Sequence, residues 1–247
     1  MKVTSVKTHR ITTKDQDILA ILDRYIYTLK ERSILVVASK IVSICEGSVV
    51  PIGKIAKERL VEQEADYFLP KQKSKYGITL TVKGNTLIPS AGIDESNGRG
   101  YYVLWPKDPQ RSADRIREYL CKRFLRKHVG VVITDSKTTP LRWGTTGVAI
   151  AHSGFEALRD YIGKPDIFGR KITVTKTAVA DGLAAAAVLA MGEGAEQTPL
   201  AVIEEVPFVK FQARNPTKKE LEDLHIELED DLYAPLLENA GWKPRKK

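Results

Sequence analysis

Apolar residues early in the chain recur first at helical and then at strand spacing. Ile18, Ile21, Leu22, Tyr25, Ile26 and Leu29 fall three or four positions apart, which predicts an amphipathic helix over 14–30. Thr13 with Gln16 resembles a capping box at its start. The apolar run ILVVAS (34–39) reads as a buried strand, and SKIVSICEG as a turn leading out of it. A second helical pattern covers 54–68 and is ended by Pro70. GITLTVKGNTLIPSAGID carries two short β-rich runs around Lys83, Gly84 and Asn85, the pattern of a hairpin. SADRIREYLCKRFLRK predicts a helix over 112–127 capped by Ser112, and it runs into the buried strand VGVVITDS (129–136).

RWGTTGVAIAHSG reads as a small-residue strand among glycines. It is followed by a short helix over 155–162, a strand KITVTKTA, a helix DGLAAAAVLAMG whose alanines permit close packing, and a strand over 201–206. Residues 211–247 are polar and read as helical, with Pro235 inside. Strands and helices mix without a βαβ rhythm and without internal repeats. The fold class is therefore α+β, mixed sheets with packed helices, with one domain over 1–210 and a helical extension over 211–247.

Composition narrows the function. The 247 residues suffice to bury a core, and 43% hydrophobic with 28% charged residues is the balance of a globular protein. No apolar run is long enough for a membrane helix, and MKVTSVKTHRITTKDQD has no apolar stretch of a secretory signal. Cys45 and Cys121 sit in apolar segments and no CxxC occurs, so a cytoplasmic protein with reduced thiols and no thiolate zinc site is expected. A net charge of +8 points to anionic ligands. The clusters KRFLRK (122–127) and KPRKK read as solvated faces, and no aromatic-basic stripe supports nucleic acid. Small anions such as phosphates and carboxylates fit instead.

Three acidic turns carry candidate chemistry: Asp94 in AGIDESNG, Asp135 in VVITDSKTT and Glu193 in MGEGAE. An acid at the end of a buried strand is costly unless a cation compensates it. Hard divalent cations accept carboxylates together with substrate phosphates. Asp94, Asp135, the Ser136 hydroxyl and Glu193 are thus candidate ligands of two ions on a nucleotide, with helix and loop capping as the competing reading of each acid alone. Gly144, Gly147 and Gly154 would let the backbone approach a ligand closely, with tight turns between packed strands as the competing reading. GEGAEQTP has the look of a phosphate or base loop. Arg142 beside Trp143 could contact a substrate carboxylate or phosphate, since its guanidinium suits both. His152 reads as a structural histidine.

In order along the chain, ASKIVSICEG, SAGIDESNG, VVITDSKTTPLRWGTTGVAIAHSG and YIGKPDIFGRKITVTKTAVADGLAAAAVLAMGEG resemble the coenzyme F420-0:L-glutamate ligase (γ-glutamyl ligase) family, from about residue 30 to residue 206. The resemblance implies an α+β fold in an intertwined homodimer with the active site near the subunit interface. It also implies that GTP or ATP and two Mg²⁺ or Mn²⁺ ions, with K⁺ as a further candidate, drive amide formation between glutamate and a carboxylate such as that of F420-0. By matching motif, Asp94 and Asp135 resemble the ligands of one ion, and Ser136 (where threonine is common) and Glu193 those of the second. Ser39, Lys40, Asn97 and the loop containing Gly192, Gly194 and Ala195 resemble the nucleotide contacts; Asp94, Asp135 and Arg142 form the candidate catalytic set. Two departures stand out: Ile44 replaces a usual lysine, and His9–Arg10–Ile11–Thr12 replaces a usual Leu-Pro pair. A folate-type acceptor is the alternative substrate. From a different class, the alternative is a nucleotide-binding protein without turnover.

Overall fold

The computed structural model describes residues 1–70 and 75–246; the last lysine of the KPRKK tail lies outside them. Strand β1 (Lys2–Val6), helix α1 (Ile18–Tyr25), strand β2 (Ser33–Ala38), helix α2 (Ser39–Cys45), strand β3 (Val49–Pro51) and helix α3 (Lys57–Glu64) come first. Strands β4 (Tyr67–Phe68), β5 (Leu80–Lys83), β6 (Thr86–Pro89) and β7 (Tyr101–Val103) precede helix α4 (Pro109–Phe124). The hairpin of β8 (Val129–Thr138) and β9 (Thr145–Ser153) is followed by the ribbon β10 (Leu158–Asp160) with β11 (Lys176–Ala178), helix α5 (Val179–Met191) and strand β12 (Leu200–Glu204). Helices α6 (Lys218–Glu222) and α7 (Ala234–Leu237) and strand β13 (Lys243–Pro244) close the chain.

The core forms on both faces of a five-stranded sheet in the order β1-β12-β2-β8-β9, in which only β2 and β8 run parallel. Alternation along β2 explains its continuous apolar run. Leu35 and Val37, with Val131 and Ile133 of β8, pack on α1, α2 and α4, while Ile34 and Val36, with Val132 and Ile203, pack on α5. A strand buried on both faces has no polar side to alternate with. A smaller sheet, β13-β4-β5-β6, lies beside a third cluster in which Leu60 and Val61 of α3 meet Phe68, Ile93 and Tyr102. The fold is α+β with several sheets, and among the described residues no helix is long and apolar enough to cross a membrane.

Several elements differ from their sequence-based expectation, each for a physical reason. Helix α1 starts at Ile18 because Asp17 caps it. Thr12 and Asp15 form a separate turn, with the Thr12 amide on Asp15 Oδ2 at 2.8 Å. SKIVSIC is a helix rather than a turn, its side chains almost wholly buried, so tertiary burial stabilises a segment with no side-chain cap. Helix α4 begins three residues before Ser112: Asp108 accepts the Arg111 amide and Pro109 occupies the first turn, where its missing N–H costs nothing. The expected helix over 155–162 is extended chain. Phe155 is fully buried and bridges Phe211, and the Glu156 amide bonds Lys210 O, so non-local pairing overrides local propensity. Residues 211–246 contain only short helices, and Pro235 sits at the start of α7, not inside a helix.

The basic clusters serve the fold. Arg123 bonds Leu22 O and pairs with Asp23, and Arg126 bonds Leu29 O, tying α4 to the end of α1. Arg245 and Lys246 pair with Asp66 and Glu62, which anchors the tail to α3 and β4. Glycine at two positions serves packing between elements. A Cβ on Gly147 would meet Ala184 O of α5 at 2.4 Å, and one on Gly154 would meet Val129 O at 2.1 Å. The close approach expected toward a ligand is, at these two residues, toward neighbouring protein backbone instead.

Candidate functional site

The parallel register of β2 and β8 sets the site. Ala38 pairs with Thr134, so the start of α2, carrying Ser39 and Lys40, comes to lie beside Asp135 and Ser136 at the far end of β8. Ligands bind beyond the carboxyl ends of parallel strands for this reason: the chain diverges there and leaves a crevice. Helix α5 ends at Met191 and delivers the loop Gly192–Ala195 to the same place, with Gly192 in positive φ as its cap.

Asp94 arrives by a less ordinary route. Ser90, Ala91 and Gly92 are left-handed in succession, with φ of 52°, 53° and 69°. For the two non-glycine residues this costs about 1–2 kcal/mol each, and buried contacts hold it in place: the Ser90 amide bonds Thr79 O and the Ala91 amide bonds Thr81 Oγ1, both at 2.8 Å. Asn97 and Arg99 are also left-handed. Backbone strain concentrated in one short loop marks a site whose geometry is imposed by its surroundings. Past the turn, Asp94 exchanges two backbone hydrogen bonds with Val103, at 3.0 and 2.8 Å, which fixes its direction.

These elements enclose a cavity of about 840 Å³. Its walls include Ser39, Lys40, Asp94, Asn97, Asp135, Ser136, Gly192, Glu193, Gly194 and Ala195, so ten of the expected site residues come together. Arg142 does not line it. That side chain is exposed at the tip of the β8–β9 hairpin, beside an almost fully exposed Trp143. Thr8 to Thr12 close another side of the cavity, and Ile44, with 7% of its surface exposed, presents an apolar wall to it.

Polar contacts within the cavity are specific. Lys40 Nζ lies 2.5 Å from Asp94 Oδ2 and 3.1 Å from Ser96 O. Ser136 Oγ donates to Glu193 Oε1 at 2.7 Å, and Thr145 Oγ1 to the same oxygen at 3.2 Å. Asn97 Nδ2 donates to Gly194 O at 3.2 Å, joining the acidic loop to the glycine loop. Asp135 accepts the Ser136 amide at 2.9 Å and the indole N–H of Trp105. Burial pushes the Asp135 carboxyl up to about 6, with the Asp94 charge adding to it and the bonds from Trp105 and Ser136 opposing it. Burial also raises Asp94, but the hydrogen bond and charge of Lys40, with Ser96, outweigh it and hold that carboxyl below its usual range. Two carboxylates that feel each other, one of them desolvated, form a place where a cation is favourable. In this structure the Lys40 ammonium is the cation on Asp94.

The donor set fits a hard divalent ion. Asp94, Asp135, Ser136 and Glu193 offer oxygen only, with no histidine or cysteine among them. Among the described residues no three His, Cys, Asp or Glu side chains form a metal cage. An ion held here would complete its shell with water or substrate oxygens, the mode Mg²⁺ favours. Trp105 and Thr145 were not singled out from sequence. Both reach the acids from distant parts of the chain, and no local pattern carries such a contact.

The sequence pattern of the family described as F420-0:Gamma-glutamyl ligase matches residues 3–205. The chain is 33% identical over 215 residues to the coenzyme F420:L-glutamate ligase of Methanocaldococcus jannaschii, an alignment covering 80% of this chain and 86% of that protein. It is 36% identical over 190 residues to the enzyme of the same name from Methanopyrus kandleri, covering 70% and 75%. For that of Archaeoglobus fulgidus the figure is 34% over 209 residues, covering 77% and 82%. With the match running from β1 to β12 and taking in every wall of the cavity, this chain belongs to the F420-0:γ-glutamyl ligase family.

Proposed function

We propose that this protein is a ligase that joins L-glutamate to a carboxylate of an F420-0-type acceptor, using a nucleoside triphosphate and Mg²⁺ or Mn²⁺, as a homodimer. The observation that carries this reading is the convergence of Asp94, Asp135, Ser136 and Glu193, from three separate stretches of chain, around one cavity that also holds Lys40 and the Gly192–Ala195 loop. Similarity to enzymes named for L-glutamate ligation, in Methanocaldococcus jannaschii and Methanopyrus kandleri, supports the reaction class.

A carboxylate is a poor acyl donor at neutral pH. An acceptor carboxylate oxygen would attack the terminal phosphorus of the nucleotide and release the diphosphate, giving an acyl phosphate. The glutamate amine would then attack the acyl carbon, form the C–N bond, lose a proton and expel inorganic phosphate. Divalent cations supply charge neutralisation to phosphoryl groups in such transfers. Asp94 and Asp135 would hold one, and Ser136 with Glu193 the other. Lys40 sits where its ammonium can leave Asp94 for a phosphate oxygen, Asn97 spans to the glycine loop, and the Gly194 amide, which here donates to the Glu196 carboxylate at 2.8 Å, suits an anion. Ser39, at the start of α2, lines the same wall.

Calorimetric titration of nucleotide in the presence of Mn²⁺ tests the assignment. Asp135→Asn is expected to abolish metal-dependent binding while circular dichroism stays unchanged. Binding heats equal to those of the unaltered protein would sink it.

A further inference from the structure

Trp105 lies next to the acids without belonging to any pattern that pointed to them. Its indole N–H donates to Asp135 Oδ2, while the other oxygen of that carboxylate accepts the Ser136 amide at 2.9 Å. Each oxygen therefore has one lone pair engaged and one left over. The indole is almost wholly buried and its backbone is tied down. Only 7% of its surface is exposed. The Leu104 amide bonds Ser48 O at 3.0 Å, and the ladder that pairs Val103 with Asp94 fixes the backbone two residues before it. Lys83 Nζ lies 5.4 Å from the ring centroid and pairs with Glu64 at 2.8 Å, so a tethered cation covers the ring.

The chain has also been cut away to admit the N–H. A Cβ on Gly92 would stand 2.0 Å from Trp105 Nε1, so any other residue there would displace the edge that reaches Asp135. The left-handed turn before Asp94 thus does two things at once: it aims Asp94, and it opens the passage for the indole. Trp105 and Lys83 line a second, larger cavity of about 1420 Å³, whereas Gly92 and Asp135 line the smaller one. The ring stands in the wall between them.

We propose that Trp105 is a positioning residue for Asp135: its N–H fixes the carboxylate rotamer so that the free lone pairs are ready for a divalent cation. The proposal rests on the reading of Asp135 as a metal ligand. Groups that orient a ligand from behind typically contribute roughly 10–100-fold to metal affinity, and a purely packing tryptophan would contribute none.

The test uses Mn²⁺ alone as the probe, on the full chain, with free Mn²⁺ followed by electron paramagnetic resonance. Trp105→Phe keeps an aromatic ring and removes the N–H. It is expected to weaken Mn²⁺ binding about tenfold or more with the circular dichroism spectrum retained. The indole ¹⁵N–¹H resonance lost in that variant is expected to move when Mg²⁺ is added to the unaltered protein and to stay fixed in Asp135→Asn. Equal Mn²⁺ affinity in Trp105→Phe, or an indole resonance indifferent to Mg²⁺, overturns the proposal while leaving the metal assignment standing. Should the unaltered protein and Asp135→Asn bind Mn²⁺ equally, the metal reading itself fails and this proposal with it. If Trp105→Phe does not fold, the resonance of the unaltered protein, identified as the indole signal retained in both Trp143→Phe and Trp242→Phe, decides the matter.

Discussion

Gly147→Ala tests the coupling of packing to the site. Gly147 of β9 faces Ser136 across the hairpin on one side and α5 on the other. An added Cβ would meet Ala184 O at 2.4 Å, Ala184 C at 2.7 Å and Val188 Cγ2 at 2.7 Å. Only the last is a side-chain atom; the others are helix backbone, which has no rotamer to escape into. Helix α5 must move away from the sheet as a body. Overpacking of this kind costs about 1–3 kcal/mol, which in a domain of this size lowers Tm by roughly 2–12 °C. The displacement also reaches the chemistry, because α5 ends at Met191 and Glu193 meets Ser136 at 2.7 Å just beyond it. A misplacement of about 1 Å at a reacting centre can cost about a hundredfold in rate. Thermal unfolding by circular dichroism and turnover under saturating substrates read the two effects. Gly182→Ala on the open side of the same helix, where a Cβ meets nothing within 4 Å, is the control; it should stabilise by about 0.5–1 kcal/mol and leave turnover alone. A Gly147→Ala protein that melts and turns over like the parent would refute the claim that this helix is held against β9 and delivers Glu193.

Three further outcomes are expected. Ile44→Lys puts an ammonium on the cavity wall and should tighten nucleotide binding about tenfold, the worth of one charge-assisted bond; unchanged titration curves would mean the wall does not face phosphate. Lys40→Met should weaken nucleotide binding, and, with the competing charge on Asp94 removed, should not weaken Mn²⁺ binding; a parallel loss of both would show Lys40 to be structural. Burial depresses His152 to about 4, so the folded protein keeps it neutral while the unfolded chain protonates it below its ordinary value of 6.5. The stability this contributes is present above pH 6.5 and is lost as pH falls towards 4, about 3 kcal/mol in all. His152→Gln should flatten the urea midpoint across that window, and an unaltered pH profile would contradict it.

What the sequence revealed follows from where each signal is stored. Strands β2 and β8 were legible because burial on both faces leaves an unbroken apolar run, and α4 because its apolar residues recur at helical spacing. Helix α2 was not, since its seven residues are stabilised by burial and carry no cap. The segment after Phe155 was misread because its conformation is dictated by pairing with residues 210 and 211. At the site, Asp94, Asp135, Ser136 and Glu193 were found through motifs that resemble a family, and the cavity brings them together. Arg142 shared the motif but projects from the hairpin tip. Trp105 left no trace in the local pattern: its contact with Asp135 spans thirty residues and depends on Gly92 for space.

The most direct measurement is phosphate release from GTP or ATP with Mn²⁺, with L-glutamate and the acceptor each present or omitted, across F420-0, folates and no acceptor. The account predicts release that requires both glutamate and one acceptor, and that disappears in Asp135→Asn. Tight nucleotide binding with no release under any combination would contradict it and leave a binding protein in place of a ligase.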